Sequence, residues 1–393
     1  MSERFSGLSM KTYFAGDNMI TSLGFTTEEN MAMFRNNVTG IRNHRKTDRL
    51  GIDCCISTVD GDRLDQVFSD FAKPDNYTRL EKIAITSARY AVERTDVDFK
   101  SPKTLFILST TKGNIDLLEN KKHPFGSDRI QLWRTAHAIT AFFENPNPPL
   151  VVSNACISGI VALITALRML KYSHYKNIVV VGVDIASRFV ISGFQSFKAT
   201  SSTPCRPYDK SRKGLSLGEG GSTLILTSES SLATDEKLVL RGGAGANDAN
   251  HISGPSRTGE GLYLSIQKTL ESTQETAENI DYINAHGTAT VFNDDMESIA
   301  LERTKLATVP VNSLKGYFGH TLGAAGVLET SAAVASMRMN TLIATKGFHT
   351  KGTTQEINVI RKTKMKTINH CLKIASGFGG CNAGILISKD GTF

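Results

Sequence analysis

The sequence predicts an α/β fold with helices between and outside two β-sheets, and three observations support this fold class. Short apolar runs of strand length alternate along the chain with segments of helical periodicity. The apolar runs form two similar series, which are separated by the polar segment 228–236. Two of the helical segments are so poor in polar side chains that they belong inside a core. We therefore expect a duplicated five-layer α-β-α-β-α sandwich.

The two series divide the chain into a predicted N-terminal half, 1–233, and a predicted C-terminal half, 234–393. A chain of 393 residues has room for about two or three folded units, or for one large α/β unit. Because strands alternate with helices, we expect mostly parallel sheets. The predicted strands are 11–15, 105–109, 150–153, 178–183 and 222–227 in the first half, and 238–244, 282–285, 309–312, 372–375 and 384–388 in the second.

The predicted helices 158–172 and 323–339 are the two that we expect at the centre of the sandwich. The first carries apolar side chains on nearly every face. The second opens with Gly-Ala-Ala-Gly and continues with several alanines, so it allows another helix to approach closely. Two further helices are predicted at 79–94 and 262–272.

Composition and charge exclude several classes of function. The chain has 45 Lys and Arg against 38 Asp and Glu, a formal charge of +7, but no basic-aromatic motif that would favour nucleic acid. An acidic partner is the better match. The strongest apolar stretch, 160–170, is shorter than the roughly 20 residues of a membrane span, and residues 1–4 are polar rather than signal-like. We expect a cytoplasmic protein without membrane or nucleic-acid partners.

Cys156 is the first candidate catalytic residue, because it lies at the turn between a predicted strand and the first central helix. The positive end of a helix stabilises a thiolate, and its unpaired amides can hold an oxyanion. A lone cysteine in a core is more often a small buried side chain than a nucleophile, so a catalytic assignment of Cys156 depends on which residues accompany it. None of the six cysteines forms a C-x-x-C pair, so we expect no metal site.

Two histidines and a lysine are the residues that could accompany Cys156 in a catalytic site. His286 follows a predicted strand and precedes Gly-Thr-Ala-Thr, whereas His320 stands before the second central helix, five residues after Lys315. Either histidine alone is more often structural. Their shared placement at glycine-rich strand-to-helix turns, matching that of Cys156, indicates one common site.

Five motifs in order resemble those of the β-ketoacyl-acyl carrier protein synthases, the elongating condensing enzymes of the thiolase superfamily. The motifs are Asn-Ala-Cys-Ile-Ser-Gly at 154–159, the Arg-Pro-Tyr-Asp segment at 206–220, Asn-Ala-His-Gly-Thr-Ala-Thr at 284–290, the Lys315 and His320 segment at 312–320, and Gly-Phe-Gly-Gly at 377–380. The resemblance implies that the predicted sandwich is thiolase-like. It also implies a dimer, either a homodimer or a heterodimer with a related subunit.

The reaction that this resemblance implies is a decarboxylative Claisen condensation in fatty acid or related polyene or polyketide synthesis. An acyl group on the phosphopantetheine arm of acyl carrier protein would move to Cys156. Malonyl-acyl carrier protein would then lose carbon dioxide, and its enolate would attack the acyl group. No cofactor of its own is implied, and the acyl chain length stays open.

The resemblance assigns roles to the residues of these motifs. The amides of Cys156 and Phe378 would form an oxyanion hole for the acyl-enzyme. His286 and His320 would act as neutral N–H donors to the malonyl carbonyl, because burial lowers the pKa of a histidine. Lys315 and Glu329 would form a supporting ion pair, and Thr288 and Thr290 would contact the pantetheine arm. Phe194 and Phe378 would line the acyl entrance. Lys198 would dock the carrier protein, and the more loosely matched docking candidates are Lys73, Arg79 and Lys82.

Several alternatives stay open at this stage. The chain could be the non-catalytic chain-length partner of a heterodimeric ketosynthase, a specialised aryl-polyene-type ketosynthase, or a thioester hydrolase or decarboxylase on the same scaffold. Cys381 could be the second catalytic cysteine of a thiolase, although we interpret it as a small buried residue. Asp294 and Glu297 have the spacing of a helix N-cap and its third residue, so we interpret them as capping residues.

Overall fold

The computed structural model describes residues 10–45, 50–119, 123–248 and 254–392. Residues 1–4, on which the signal-peptide expectation depends, lie outside them. The described strands are β1 (Tyr13–Ile20), β2 (Arg42–His44), β3 (Cys54–Ser57), β4 (Thr104–Ser109), β5 (Leu150–Val152), β6 (Asn177–Asp184), β7 (Leu217–Gly218), β8 (Gly220–Thr227), β9 (Leu238–Asn247), β10 (Tyr282–Asn284), β11 (Val311–Asn312), β12 (Thr341–Leu342), β13 (Lys364–Met365), β14 (His370–Gly377) and β15 (Cys381–Lys389). The described α-helices are α1 (Thr27–Arg35), α2 (Gly61–Ser69), α3 (Arg79–Val92), α4 (Leu132–Phe142), α5 (Ser158–Tyr172), α6 (Arg188–Ser196), α7 (Glu260–Thr273), α8 (Val291–Arg303), α9 (Lys315–Phe318) and α10 (Ala325–Arg338).

The large sheet is built from two halves with the same pairing pattern. Its strand order is β11-β10-β14-β15-β9-β1-β8-β6-β4-β5, and a single register pair, Tyr13 with Val239, joins β1 to β9. Counted outward from this junction, each half has two antiparallel pairings followed by two parallel ones. The duplication is therefore visible in the strand pairing. The expectation of mostly parallel sheets is wrong, because β8 and β15 run against both of their neighbours.

Helices α5 and α10 cross at the centre of the molecule, between the two half-sheets. Gly159 of α5 and Gly326 of α10 lie at the crossing, where a Cβ added to Gly159 would stand 2.6 Å from the backbone nitrogen of Val327. A Cβ added to Gly326 would stand equally close, 2.6 Å, to the backbone nitrogen of Ile160. The outer layers contain α3, which packs on β1 and β8, and α7, which packs on β9 and β15. This confirms the predicted five-layer sandwich.

Helix α5 is unusually apolar for a helix of this size. By length and composition alone the window Ala155–Tyr172 could cross a membrane, and 56% of that window is buried inside the fold. The apolar stretch is thus longer than the segment 160–170 that we identified in the sequence. Its position between two half-sheets and against α10 explains its composition, and this is typical of the core helix of a soluble protein. The domain boundary at residue 233 falls between β8 and β9 and stays a prediction.

Candidate active site

Cys156 lies in a tight turn between β5 and α5. Ala155, just before it, has a positive φ of 45°. The Ser158 hydroxyl accepts a hydrogen bond from the Asn154 amide at 2.7 Å and donates one to the Ala155 carbonyl at 2.6 Å. These bonds fix the backbone on both sides of the sulfur. The nucleophile candidate is therefore held on a tight turn just before the N-terminal end of helix α5.

The Cys156 side chain is buried, with 7% of its surface exposed. Burial raises the pKa of its thiol to about 12, and the nearby Cys381 raises it further, whereas Lys315 and a hydrogen bond from the Phe378 amide lower it. Because desolvation outweighs the positive charges around the sulfur, Cys156 is a neutral thiol near pH 7.

His286 and His320 lie beside this sulfur. Their ring centroids are 5.0 Å apart and their planes are nearly perpendicular, at 85°. One side-chain nitrogen or sulfur atom from each of Cys156, His286 and His320 lies within 4.8 Å of the others. The structure thus brings together three residues that the chain keeps far apart.

The hydrogen bonds of the two imidazoles define where their protons lie. Lys315 Nζ is 3.3 Å from Nδ1 of His286, and since an ammonium can only donate, Nδ1 accepts and the ring proton is on Nε2. The Leu322 amide donates to Nδ1 of His320 at 3.4 Å, which favours the same tautomer. Burial, and then the positive charge of Lys315, lower the pKa of both histidines well below the usual value. Lys373 lowers both pKa values further, and His320 also lowers that of His286. Both rings are neutral Nε2–H donors at neutral pH.

A fully buried charge cluster supports these rings from behind. Lys315 Nζ contacts one oxygen of Glu329 at 2.5 Å, and Lys373 Nζ contacts the other at 2.6 Å. None of the three side chains has exposed surface. Sequence reasoning found Lys315 and Glu329 but missed Lys373. The available signal was a lysine inside the apolar run of β14.

Two carboxylates hold the loop that carries His286 and the two threonines. Glu297 accepts hydrogen bonds from the amides of His286 and Gly287 at 2.8 and 2.6 Å, and Asp294 accepts from the Thr288 amide at 3.0 Å. Helix α8 begins at Val291 after Thr290, so Asp294 is inside the helix. The N-cap interpretation of Asp294 and Glu297 is therefore wrong. Burial and the charge of Glu297 raise the pKa of Asp294 to about 7.

A cavity of about 430 Å³ opens onto the sulfur and both imidazoles. Phe194 and Phe378 stack in its wall with centroids 5.4 Å apart, and Phe197 meets Phe378 edge-on at 5.7 Å. Phe197 was missed by the sequence analysis and is 58% exposed. The other predicted residues that line the cavity are Thr288, Thr290 and Lys198.

The loop 377–380 packs closely against Cys156. A Cβ added to Gly377 would stand 2.9 Å from the Cys381 sulfur and 3.0 Å from the Cys156 amide nitrogen. Only a residue without a side chain lets the backbone approach this closely. Cys381 is buried under the loop, and its sulfur contacts the Phe378 carbonyl at 3.3 Å. Cys381 is not among the described residues that line the cavity.

Comparison with known protein families decides what kind of site this is. The model for the beta-ketoacyl synthase N-terminal domain matches residues 56–231, and the model for the C-terminal domain of the same family matches residues 238–349. Together they cover well over half of the chain. The chain belongs to the beta-ketoacyl synthase family.

Relatives of this chain include a 3-oxoacyl-[acyl-carrier-protein] synthase and a subunit of a polyketide synthase. The chain is 32% identical over 261 residues to 3-oxoacyl-[acyl-carrier-protein] synthase 2 of Rhizobium meliloti, with 63% of this chain and 61% of that protein covered. It is 29% identical over 260 residues to the tetracenomycin polyketide synthase ketoacyl synthase alpha subunit of Streptomyces glaucescens, covering 62% of this chain and 60% of that protein. The matches thus span about 60% of these relatives' own length.

The fold of this synthase is similar to that of a solved structure, the ishigamide ketosynthase/chain length factor. The TM-score is 0.90 at 24% identity, and the match covers 98% of this chain and 100% of that one. At this identity the likeness concerns the fold.

Two of the loosely matched docking residues of the synthase are engaged elsewhere. Arg79 pairs with Glu219, whose side chain is fully buried, and Lys82 pairs with Asp65. Both charges are paired within the described structure, and the assignment of Arg79 and Lys82 to docking stays a prediction. Lys73 is exposed, and Lys198 lines the mouth of the cavity.

Proposed function

We propose that this synthase catalyses the decarboxylative Claisen condensation of a Cys156-bound acyl group with malonyl-acyl carrier protein to give β-ketoacyl-acyl carrier protein. The observation that carries the proposal is the meeting of one sulfur and two neutral Nε2–H imidazoles in a single cavity. A non-catalytic chain-length partner would not need one sulfur and two imidazoles in the same cavity. We further propose that the protein is cytoplasmic.

The first half-reaction moves the acyl group from the carrier to Cys156. The sulfur forms a thioester with the acyl carbon as the carrier sulfur leaves, and the Cys156 proton ends on the departing pantetheine thiol. Negative charge develops on the thioester oxygen during this exchange, so N–H donors lower the barrier. The Phe378 amide lies close enough to the Cys156 sulfur to lower the pKa of the thiol, which supports its proposed role in the oxyanion hole together with the Cys156 amide.

The second half-reaction generates and uses a carbon nucleophile. As carbon dioxide leaves, the electron pair of the broken C–C bond stays on the malonyl group and forms an enolate. The enolate oxygen accepts hydrogen bonds from the Nε2–H groups of His286 and His320. The enolate carbon attacks the acyl carbon, and the tetrahedral intermediate collapses with release of the Cys156 thiolate, which takes up a proton from solvent to return to the thiol. Neutral donors suit this step, because they stabilise the oxyanion without protonating it. Lys315 and Glu329 hold His286 in the required tautomer.

The cavity supports proposals for the substrate and for the partners. Thr288 and Thr290 lie along its wall, with hydroxyl oxygens 2.9 Å apart, where they can bind the pantetheine arm of acyl carrier protein. Phe194 and Phe378 form an apolar wall for the acyl chain. Acyl- and malonyl-loaded carrier protein are the proposed partners, and Lys198 is the proposed docking cation. The likeness to a ketosynthase/chain length factor structure supports a heterodimer as an alternative to a homodimer. The likeness to a polyketide synthase subunit supports a specialised polyketide or related polyene role as an alternative to fatty acid elongation.

The test is a reconstituted reaction with acyl- and malonyl-acyl carrier protein, followed by mass spectrometry of the carrier. We expect a β-ketoacyl product from the wild type and none from Cys156→Ala, which should also lose the acyl-enzyme. Release of carbon dioxide or free acid without a condensed product would refute the proposal in favour of a decarboxylase or hydrolase.

A further inference from the structure

Lys373 is a buried lysine that the proposed reaction does not use directly. Its amino group donates to Glu329 at 2.6 Å, to the Ile374 carbonyl at 2.9 Å and to the Ala285 carbonyl at 3.4 Å. An ammonium has three N–H donors and no acceptor, so these three oxygens satisfy it completely. A neutral amine would place its lone pair against one of them. The hydrogen-bond geometry therefore corresponds to a charged Lys373, even though burial lowers its pKa.

The charges around His286 balance only when Lys373 is counted. Lys315 and Lys373 share the two oxygens of Glu329, and Glu297 accepts from the His286 amide on the opposite side. Two lysines therefore face two glutamates. Among the described residues, the other titratable or charged groups near this cluster are Cys156, Cys371, Cys381, Tyr208, Tyr282, Lys112 and His320, together with Asp294 and Arg212, which lie 3.8 Å apart.

The loss of one cation from this cluster has a predictable consequence. A net negative charge in a buried site favours the protonated form of a neighbouring imidazole. Protonation of His286 would place a proton on Nδ1, where Lys315 now donates. The Lys315 contact would break, and the ring would no longer be held with its donor toward the cavity.

We infer that Lys373 is a positioning residue that balances the charge of Glu329 and thereby keeps His286 and His320 neutral. The catalytic meaning of this inference rests on the proposed function. What the inference predicts directly is the protonation state of the two imidazoles, and this can be measured without any enzymatic turnover.

The test uses ring-nitrogen chemical shifts of the histidines in the full-length protein, followed by NMR as a function of pH. His286→Asn and His320→Asn identify the two signals. We expect both wild-type rings to stay neutral from about pH 7 to pH 5, below the usual histidine pKa. In Lys373→Met at least one midpoint should rise by about one pH unit or more. The control Lys362→Met, at an exposed lysine, should match the wild type.

A second comparison separates charge balance from packing. Glu329→Gln removes the carboxylate and should keep both rings neutral, whereas Lys373→Met/Glu329→Gln should return the midpoints toward the wild-type values. If Lys373→Met alone does not fold, the double variant is compared with Glu329→Gln, and its midpoints should be higher than those of Glu329→Gln. Rings that stay equally neutral in every variant would overturn the inference. A wild type that forms no β-ketoacyl product, with the shifts present, would refute the proposed function alone.

Discussion

Lys315 and His286 are joined by a contact of 3.3 Å between Nζ and Nδ1, deep inside the cluster that supports the cavity. This contact determines the tautomer of the imidazole, since a lysine ammonium has no lone pair to offer. The same ammonium also donates to the His286 carbonyl at 2.5 Å, so one group fixes both the ring and its backbone. The electronic state of the proposed oxyanion donor is thus set by a residue that lies outside the cavity lining.

Replacement of Lys315 by Met should separate the two half-reactions. The His286 ring loses its Nδ1 donor, so decarboxylation and condensation should fall by about 100-fold or more. Transfer of the acyl group to Cys156 should suffer less, because its proposed oxyanion hole consists of backbone amides. Carbon dioxide release and acyl-enzyme formation are measured separately, with a melting curve to confirm folding. Equal losses in both steps would contradict the proposed division of roles.

The reactivity of Cys156 should depend on pH in a particular way. Because burial raises the pKa of the thiol to about 12, the thiolate fraction should increase about tenfold per pH unit through the neutral range. The alkylation rate with iodoacetamide should therefore increase steadily from pH 6 to pH 10, without the plateau of a stabilised thiolate. The label is followed by mass spectrometry, and Cys156→Ala defines the background. A plateau near pH 7 would show that the sulfur is activated in the free protein.

Much of the architecture could be predicted from local patterns. Helix α5 was predicted with the observed bounds, because its apolar character and the turn at Cys156 are local signals. The strand directions were predicted less well, since the antiparallel course of β8 and β15 depends on long-range connections. Helix α6 was not predicted either, because its nine residues include Gly193 and polar positions that weaken the pattern.

Only those residues of the site that lie within recognisable sequence motifs could be predicted. Cys156, His286 and His320 stand in glycine-rich turns that stand out in the sequence. Lys373 stands in an ordinary strand, and only the tertiary structure brings it to Glu329. The partners of Arg79 were equally hidden, because its ion pair with Glu219 spans about a third of the chain.

The crossing of α5 and α10 should tolerate no added side-chain atom. In Gly326→Ala the new methyl group would meet the backbone of α5, and we expect a loss of about 1–3 kcal/mol in the free energy of unfolding. Gly193→Ala is the matched control, because a Cβ at this helical glycine meets nothing within 4 Å. It should be neutral or stabilising by up to about 1 kcal/mol. Urea unfolding measures both, and equal effects would contradict the close crossing.

Asp209 should make stability depend on pH at the acid end. Burial alone would raise the pKa of its carboxyl, but hydrogen bonds from Ser211, Thr350 and His349 lower it to about 2. A depressed folded-state pKa gives stability that is present above the unfolded value of about 3.9 and is lost as the pH falls toward 2. Asp209→Asn should therefore cost about 2 kcal/mol at pH 6 and progressively less below pH 4. The same penalty at pH 6 and pH 3 in denaturant unfolding would rule out this origin.

Lys198 offers a test of carrier-protein docking that leaves the chemistry intact. Its side chain lies at the mouth of the cavity, and acyl carrier proteins are acidic, so Lys198→Glu should weaken their encounter. We expect kcat/KM for the carrier-bound substrate to fall several-fold, most strongly at low salt, because exposed charges are screened by ions. The alkylation rate of Cys156 should stay unchanged, since iodoacetamide is small and uncharged. Unchanged turnover at low salt would exclude Lys198 as a docking residue, whereas a parallel loss of alkylation would indicate a distorted cavity.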